Sequence, residues 1–128
     1  MVAGSPTPIS NKHIAMANVD LQERLFKEGV TLVYDEDGDT LLITIGESVA
    51  AITKQMVDGI YIRVEPTTYK IVGCTILAFA SDLLAKNKLI RKAFPNALET
   101  LKASGGTITL VGEKAERTKP LFEGALSR

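Results

Sequence analysis

Between Thr31 and Ala80 the apolar positions come in short runs separated by turn residues. Leu41, Ile43 and Ile45 recur at every second residue, as do Ile60, Ile62 and Val64. That is the spacing of side chains on one face of a strand. The pattern predicts strands at 31–34, 40–45 and 60–64, a weaker one with mixed sides at 49–57, and a strongly apolar one at 71–79. Turn chemistry fills the gaps. Gly38, within Asp35–Asp39, can take the positive φ of a tight hairpin, and Asp58-Gly59 is a strong hairpin dipeptide. Gly46-Glu47-Ser48 reads as a further turn. Pro66 suits the first inner position of a turn over Glu65–Thr68. Connections this short pair neighbours antiparallel, which gives a meander of four or five strands.

The run from Ile71 is apolar on both sides. Ile71, Thr75 and Leu77 fall on one side; Val72, Cys74 and Ile76 fall on the other. A sheet with one wet face would alternate there. The expectation is that both faces are covered, one by the chain's own helices and the other by its tail or another subunit.

Helical spacing flanks this region. Ile14, Ala17, Leu21 and Leu25 predict a helix within Ser10–Glu28, capped for its second half by Asn18 or Asp20 and stopped at Gly29. After the sheet, Ser81 can cap a helix running to about Phe94. Leu83, Ala85, Leu89, Ile90, Ala93 and Phe94 lie on one arc of it, and Lys88, Arg91 and Lys92 on a basic arc whose charges suit the C-terminal dipole. Pro95 breaks that helix. Asn96 with Glu99 three residues on has the form of a capping box for another, which carries Leu98 and Leu101 and ends at Gly105-Gly106. Thr107–Val111 alternates as a strand and can join the sheet. The expected fold is α+β: an antiparallel meander sheet of about five strands with one preceding helix and two following helices. Residues 1–17 read as a flexible N-terminal arm, 18–111 as a single domain and 112–128 as a C-terminal tail.

The run Tyr34-Asp35, then Asp39, Leu41, Ile43 and Ile45, followed by Asp58-Gly59-Ile60 and Ile71-Val72-Gly73-Cys74-Thr75-Ile76-Leu77, resembles the small bacterial domain of unknown function numbered 2283. The resemblance covers about residues 30–80. It implies an accessory or antitoxin-like partner protein and carries over no active site. This chain adds an N-terminal segment, two helices and a tail.

Composition narrows the function classes. Lys plus Arg and Asp plus Glu number 15 each in 128 residues. Nucleic-acid binding draws most of its affinity from basic excess, so no nucleic-acid partner is expected. Zero net charge does little to hold copies apart. The N-terminus lacks a signal pattern, and no run approaches the ~20 apolar residues of a membrane span. A cytoplasmic protein is the expectation.

Candidate chemistry is thin. Asp35, Asp37 and Asp39 suggest a calcium loop, but the glycine is misplaced and Gly46 stands where the loop needs its closing Glu. His13, the only histidine, sits near the N-terminus and reads as a solvated arm or helix residue and not as the base of a Ser-His-acid set; with Cys74 the only cysteine, no two-His or Cys-based zinc site can be assembled within one chain. Cys74 falls in mid-strand, where a thiol is usually inert. Aromatic residues make up 5%, too few for a base-stacking platform. No catalytic, cofactor-binding or metal-binding set emerges. The reading is a non-catalytic protein–protein interaction or assembly subunit, with a protein partner or homo-oligomer. The candidate contact residues are Ile14, Leu21, Leu25, Val72, Ile76, Lys88, Arg91, Lys92, Leu121, Phe122 and Leu126. The alternatives are a regulatory partner such as an antitoxin and, behind it, a small enzyme or ligand-binding protein.

Overall fold

The computed structural model describes residues 10–57, 59–83, 88 and 97–126. The expected α+β class is present as a six-stranded antiparallel sheet with helices before and after it. Helices α1 (Asn11–Ala17) and α2 (Leu21–Glu28) lead into β1 (Val30–Asp35), β2 (Thr40–Ile45), β3 (Ile52–Val57), β4 (Ile60–Val64) and β5 (Ile71–Ile76). A π-helical turn at Phe79–Leu83 follows. The chain then forms α3 (Ala97–Ala103), β6 (Thr107–Leu110), α4 (Glu113–Glu116) and α5 (Lys119–Leu126).

The strand order is β3-β4-β5-β2-β1-β6. The meander therefore has one break. β3, β4 and β5 follow each other, but β5 returns beside β2, the four-strand arrangement of a Greek key. Gly46–Ala51 is consequently a crossover and not the hairpin expected at Gly46-Glu47-Ser48. It passes three strand spacings, about 14 Å, which six residues reaching roughly 20 Å can cover. β6 joins the free side of β1, with Val30 opposite Leu110 and Val33 opposite Thr107.

Period-two alternation places Leu32 opposite Ile43, Ile43 opposite Cys74, and Cys74 opposite Ile62. All four are buried, as are Leu41, Ile45, Ile60, Val64 and Ile76. The other face holds Thr31, Leu42, Thr44, Tyr61, Arg63 and Thr75, all half-buried, and the exposed Val33.

The double apolarity of β5 has a local cause. Arg63 pairs with Gly73 and Val64 with Ile71, so Val72 is one residue too many. A bulge of this kind sets two residues against one and reverses the phase of alternation. Ile71 thus shares the core side with Cys74 and Ile76, leaving Gly73 and half-buried Thr75 on the far side. Gly73 is required there, because a Cβ would collide with the Ile43 carbonyl. One layer of apolar residues thus feeds one core, with the bulge and not a second apolar face accounting for the pattern of β5.

The helical layer differs from expectation at three places. The single N-terminal helix is two, broken at Asn18–Asp20. The segment read as an arm is helical from Asn11, with Ser10 accepting from the His13 amide as its cap and Ile14 in the core. The segment read as a tail forms α4 and α5, which pack on α1, α2 and β3 and bury Ala115, Leu121 and Phe122. Pro120 lies in the first turn of α5, where a missing N–H costs nothing. Of the helix expected over 81–94, the described residues include only the π-helical turn at Phe79–Leu83 and Lys88, and Asn96 lies outside them.

Candidate interaction surface

Two polar clamps fix the helical layer and the turns against the sheet. At the end where β5 begins, Asn18 is buried at the break between α1 and α2. Its side-chain amide donates to the carbonyls of Ile14 (2.7 Å) and Tyr69 (3.0 Å), and its oxygen accepts from the Ile71 amide at 2.8 Å. Arg24 donates to the Ile71 carbonyl at 2.9 Å and pairs with Glu28 at 3.2 Å. Asp20 pairs with Lys70 at 2.9 Å, and the hydrogen bond from Lys70 holds its carboxyl below the usual range. Both partners of that pair are more than a third exposed, so it contributes little.

At the opposite end, Asp39 sits in the β1–β2 turn with φ +49°, the left-handed region that Asp tolerates. Its carboxylate accepts from the Tyr34 hydroxyl (2.6 Å) and from the amides of Ala80 (2.8 Å) and Ser81 (3.0 Å). Asp39 therefore caps the helical turn at Phe79 from 40 residues away, the role expected of Ser81. Burial would raise its pKa, but the hydrogen bonds from Tyr34, Ser81 and the two amides outweigh that and hold it at about 2. Tyr34 is pushed up to about 12, by burial first and then by Asp39. Its ring meets Phe79 edge-on at 5.8 Å. The Tyr34 and Asp39 of the motif noted in the sequence thus form a structural latch, and this carboxylate is committed to protein donors.

Most of the candidate contact residues are used inside the chain. Ile14, Leu21, Leu25, Ile76, Leu121 and Phe122 are core residues, and Val72 is buried at the bulge. Their side chains are covered within the chain, where α1, α2, α4 and α5 pack together over the sheet. Lys88 is exposed. Arg91, Lys92 and the side chain of Leu126 lie outside the described residues.

The most exposed large apolar side chains are others. Val19 is 88% exposed, Val111 67%, Met16 64% and Phe26 49%. Three of them lie on one side of the molecule. Val19 and Phe26 line a shallow groove of about 460 Å³ with Asp20, Gln22, Glu23, Lys27 and Glu116. The Phe26 carbonyl accepts from the Gly112 amide at 3.3 Å, which brings Val111 beside the end of α2. There Gly29, at φ +75°, comes so near that a Cβ would lie 3.2 Å from Val111 and 2.8 Å from the Leu110 carbonyl. The polar groups of the groove bond one another: Lys27 to Glu23 at 2.7 Å, Gln22 to Glu116 at 3.5 Å and Lys119 to Gln22 at 3.2 Å. Hydrogen bonding to Glu23 raises the Lys27 pKa. Val19 and Phe26 lie off the helical spacing that marks the core side of Ser10–Glu28, and Val111 ends the alternating run Thr107–Val111. Their signal is the reverse one, large apolar residues off the periodic stripe.

Cys74 is fully buried, and burial alone pushes its thiol up to about 12. Among the described residues, no group of three or more His, Cys, Asp or Glu could hold a metal ion, and no helix is long and apolar enough to cross a membrane. No family model, curated protein or solved structure matches this chain.

Proposed function

We propose that this protein is a non-catalytic, cytoplasmic interaction or assembly subunit that binds another protein through the strip formed by Val19, Phe26 and Val111. The observation that carries this reading is the strip itself. Large apolar side chains stand in water beside a groove whose charges already have partners. Burying three such side chains is worth several kcal/mol, about 1.5–3 each when fully covered, and a paired polar rim around apolar anchors is the usual anatomy of a contact site. The remaining chemistry supports a non-catalytic role: the Asp39 carboxylate is spent on a cap, and the Cys74 thiol is buried and protonated. The test is native co-purification with the wild type and with a Phe26→Asp/Val111→Asp double variant. The reading expects a stoichiometric partner lost in the double variant while circular dichroism is unchanged. A partner retained by the double variant, or a wild type that elutes alone, overturns it.

A further inference from the structure

The two edges of the sheet are not alike. β3 carries a bulge at Met56, where Gln55 pairs with Tyr61 and Val57 with Ile60, and it includes Lys54. Bulges and lysines are the ordinary devices that stop a strand edge from accepting another strand. β6 has neither. Its sequence is Thr107-Ile108-Thr109-Leu110, in unbroken register with β1, preceded by two glycines and free of charge and proline.

The direction of its main-chain groups follows from the ladder. The Tyr34 amide donates to the Gly106 carbonyl at 2.7 Å. Antiparallel residues alternate between facing the partner strand and facing away. The Gly106 carbonyl and the main-chain groups of Ile108 and Leu110 therefore face β1, while the amides and carbonyls of Thr107 and Thr109 point outward. On β1 the same alternation leaves Gly29 facing β2, and the Gly46 amide does donate to the Gly29 carbonyl. Among the described residues nothing bonds the outward groups of Thr107 and Thr109. Both threonines are exposed, and Ile108 and Leu110 are only half-buried against the core.

We propose that β6 is a self-association edge: two copies of this chain pair β6 with β6 antiparallel about a twofold axis, joining two six-stranded sheets into one. A twofold sets this strand against itself, so Ile108 and Leu110 of each copy lie beside those of the other and extend the core face. Thr meets Thr or its neighbours, and no charge faces a like charge. The zero net charge of the chain adds no long-range repulsion. An unrelated strand would have to supply the same neutral alternation to fit as well. The edge adjoins Val111 in sequence but includes neither Val19 nor Phe26, so Phe26→Asp alone separates this inference from the function proposed above.

Sedimentation velocity across a concentration series, together with amide exchange, tests this. The wild type is expected as a dimer with slowed exchange at Thr107 and Thr109. Thr109→Pro removes an amide that the β1 ladder does not use, a position where an edge strand tolerates proline. It is expected to raise the dissociation constant by about tenfold or more, the worth of a hydrogen bond or two, with the thermal midpoint unchanged at concentrations where both chains are monomeric. Thr109→Lys, which restores a charged edge without touching the backbone, is expected to do the same if the proline variant misfolds. Phe26→Asp is expected to leave the dimer intact. A wild type still monomeric at about 100 µM, a dimer that survives Thr109→Lys, or one dissolved by Phe26→Asp but not by the Thr109 variants overturns the proposal.

Discussion

Asn18 and Asp39 stand at opposite ends of the sheet, and each satisfies main-chain groups left over by irregular backbone. Asn18 does so as a neutral amide, giving two hydrogen bonds and accepting at least one, in a site closed to water. Asp39 does so as an anion that only accepts, in a half-buried turn. The chemistry follows the groups to be served. The α1–α2 break presents both carbonyls and an amide, which only a two-way group can meet. The start of a helical turn presents amides alone, which suit a carboxylate. The Asn18 clamp itself is therefore indifferent to acid, and the Asp39 clamp is not.

The comparison can be broken most forcefully at Asn18. Asn18→Leu keeps the volume but strands the Ile71 amide and the carbonyls of Ile14 and Tyr69. At one to a few kcal/mol for each buried orphan, urea denaturation should show a loss of about 4 kcal/mol. Asp39→Ala removes a cap, orphans the Tyr34 hydroxyl and leaves an alanine at positive φ, for a loss of about 3 kcal/mol. Asp39→Asn tolerates the same φ and still accepts one bond, so about half of that loss is expected. Tyr34→Phe should cost about 1 kcal/mol, and Lys70→Ala no more than about 0.5 kcal/mol.

Acid sharpens the contrast. Asp39 titrates at about 2 in the folded chain against 3.8 ordinarily. A carboxylate lowered on folding contributes stability that is complete above its unfolded pKa and lost as pH falls through the folded value. Stability should therefore fall between about pH 4 and pH 2. Asp20 and Glu65 are also lowered, by Lys70 and by the amide of Thr68 respectively, and act in the same direction. Denaturation at stepped pH should show a shallower acid limb in Asp39→Asn than in the wild type. An equal slope in both would remove Asp39 as the main acid-sensitive group.

Alternation alone located the core of the central strands. Leu41, Ile43, Ile45, Ile60, Ile62 and Val64 are buried as their spacing requires, because a residue's face is a local property of the backbone. Which strand lies beside which is not local. Gly46-Glu47-Ser48 has the composition of a hairpin turn, and nothing in those residues reports that β5 will take the place beside β2. The bulge at Val72 was equally hidden, since one additional apolar residue in an apolar run leaves no break in the pattern. The surface strip was least legible. Val19, Phe26 and Val111 become neighbours only when the β6–α4 connection closes on the end of α2.

The supernumerary Val72 has a consequence for how the N-terminal helices are held. Bulged strands bend and twist beyond their regular neighbours, and this one lies a single residue from Ile71, whose amide Asn18 grips. A chain shortened by that one valine would recover unbroken pairing between β4 and β5 and keep its core sequence in phase. It would also swing the Tyr69–Lys70 corner off its line toward α1 and α2, so a tidier sheet would come with a looser hold on those two helices.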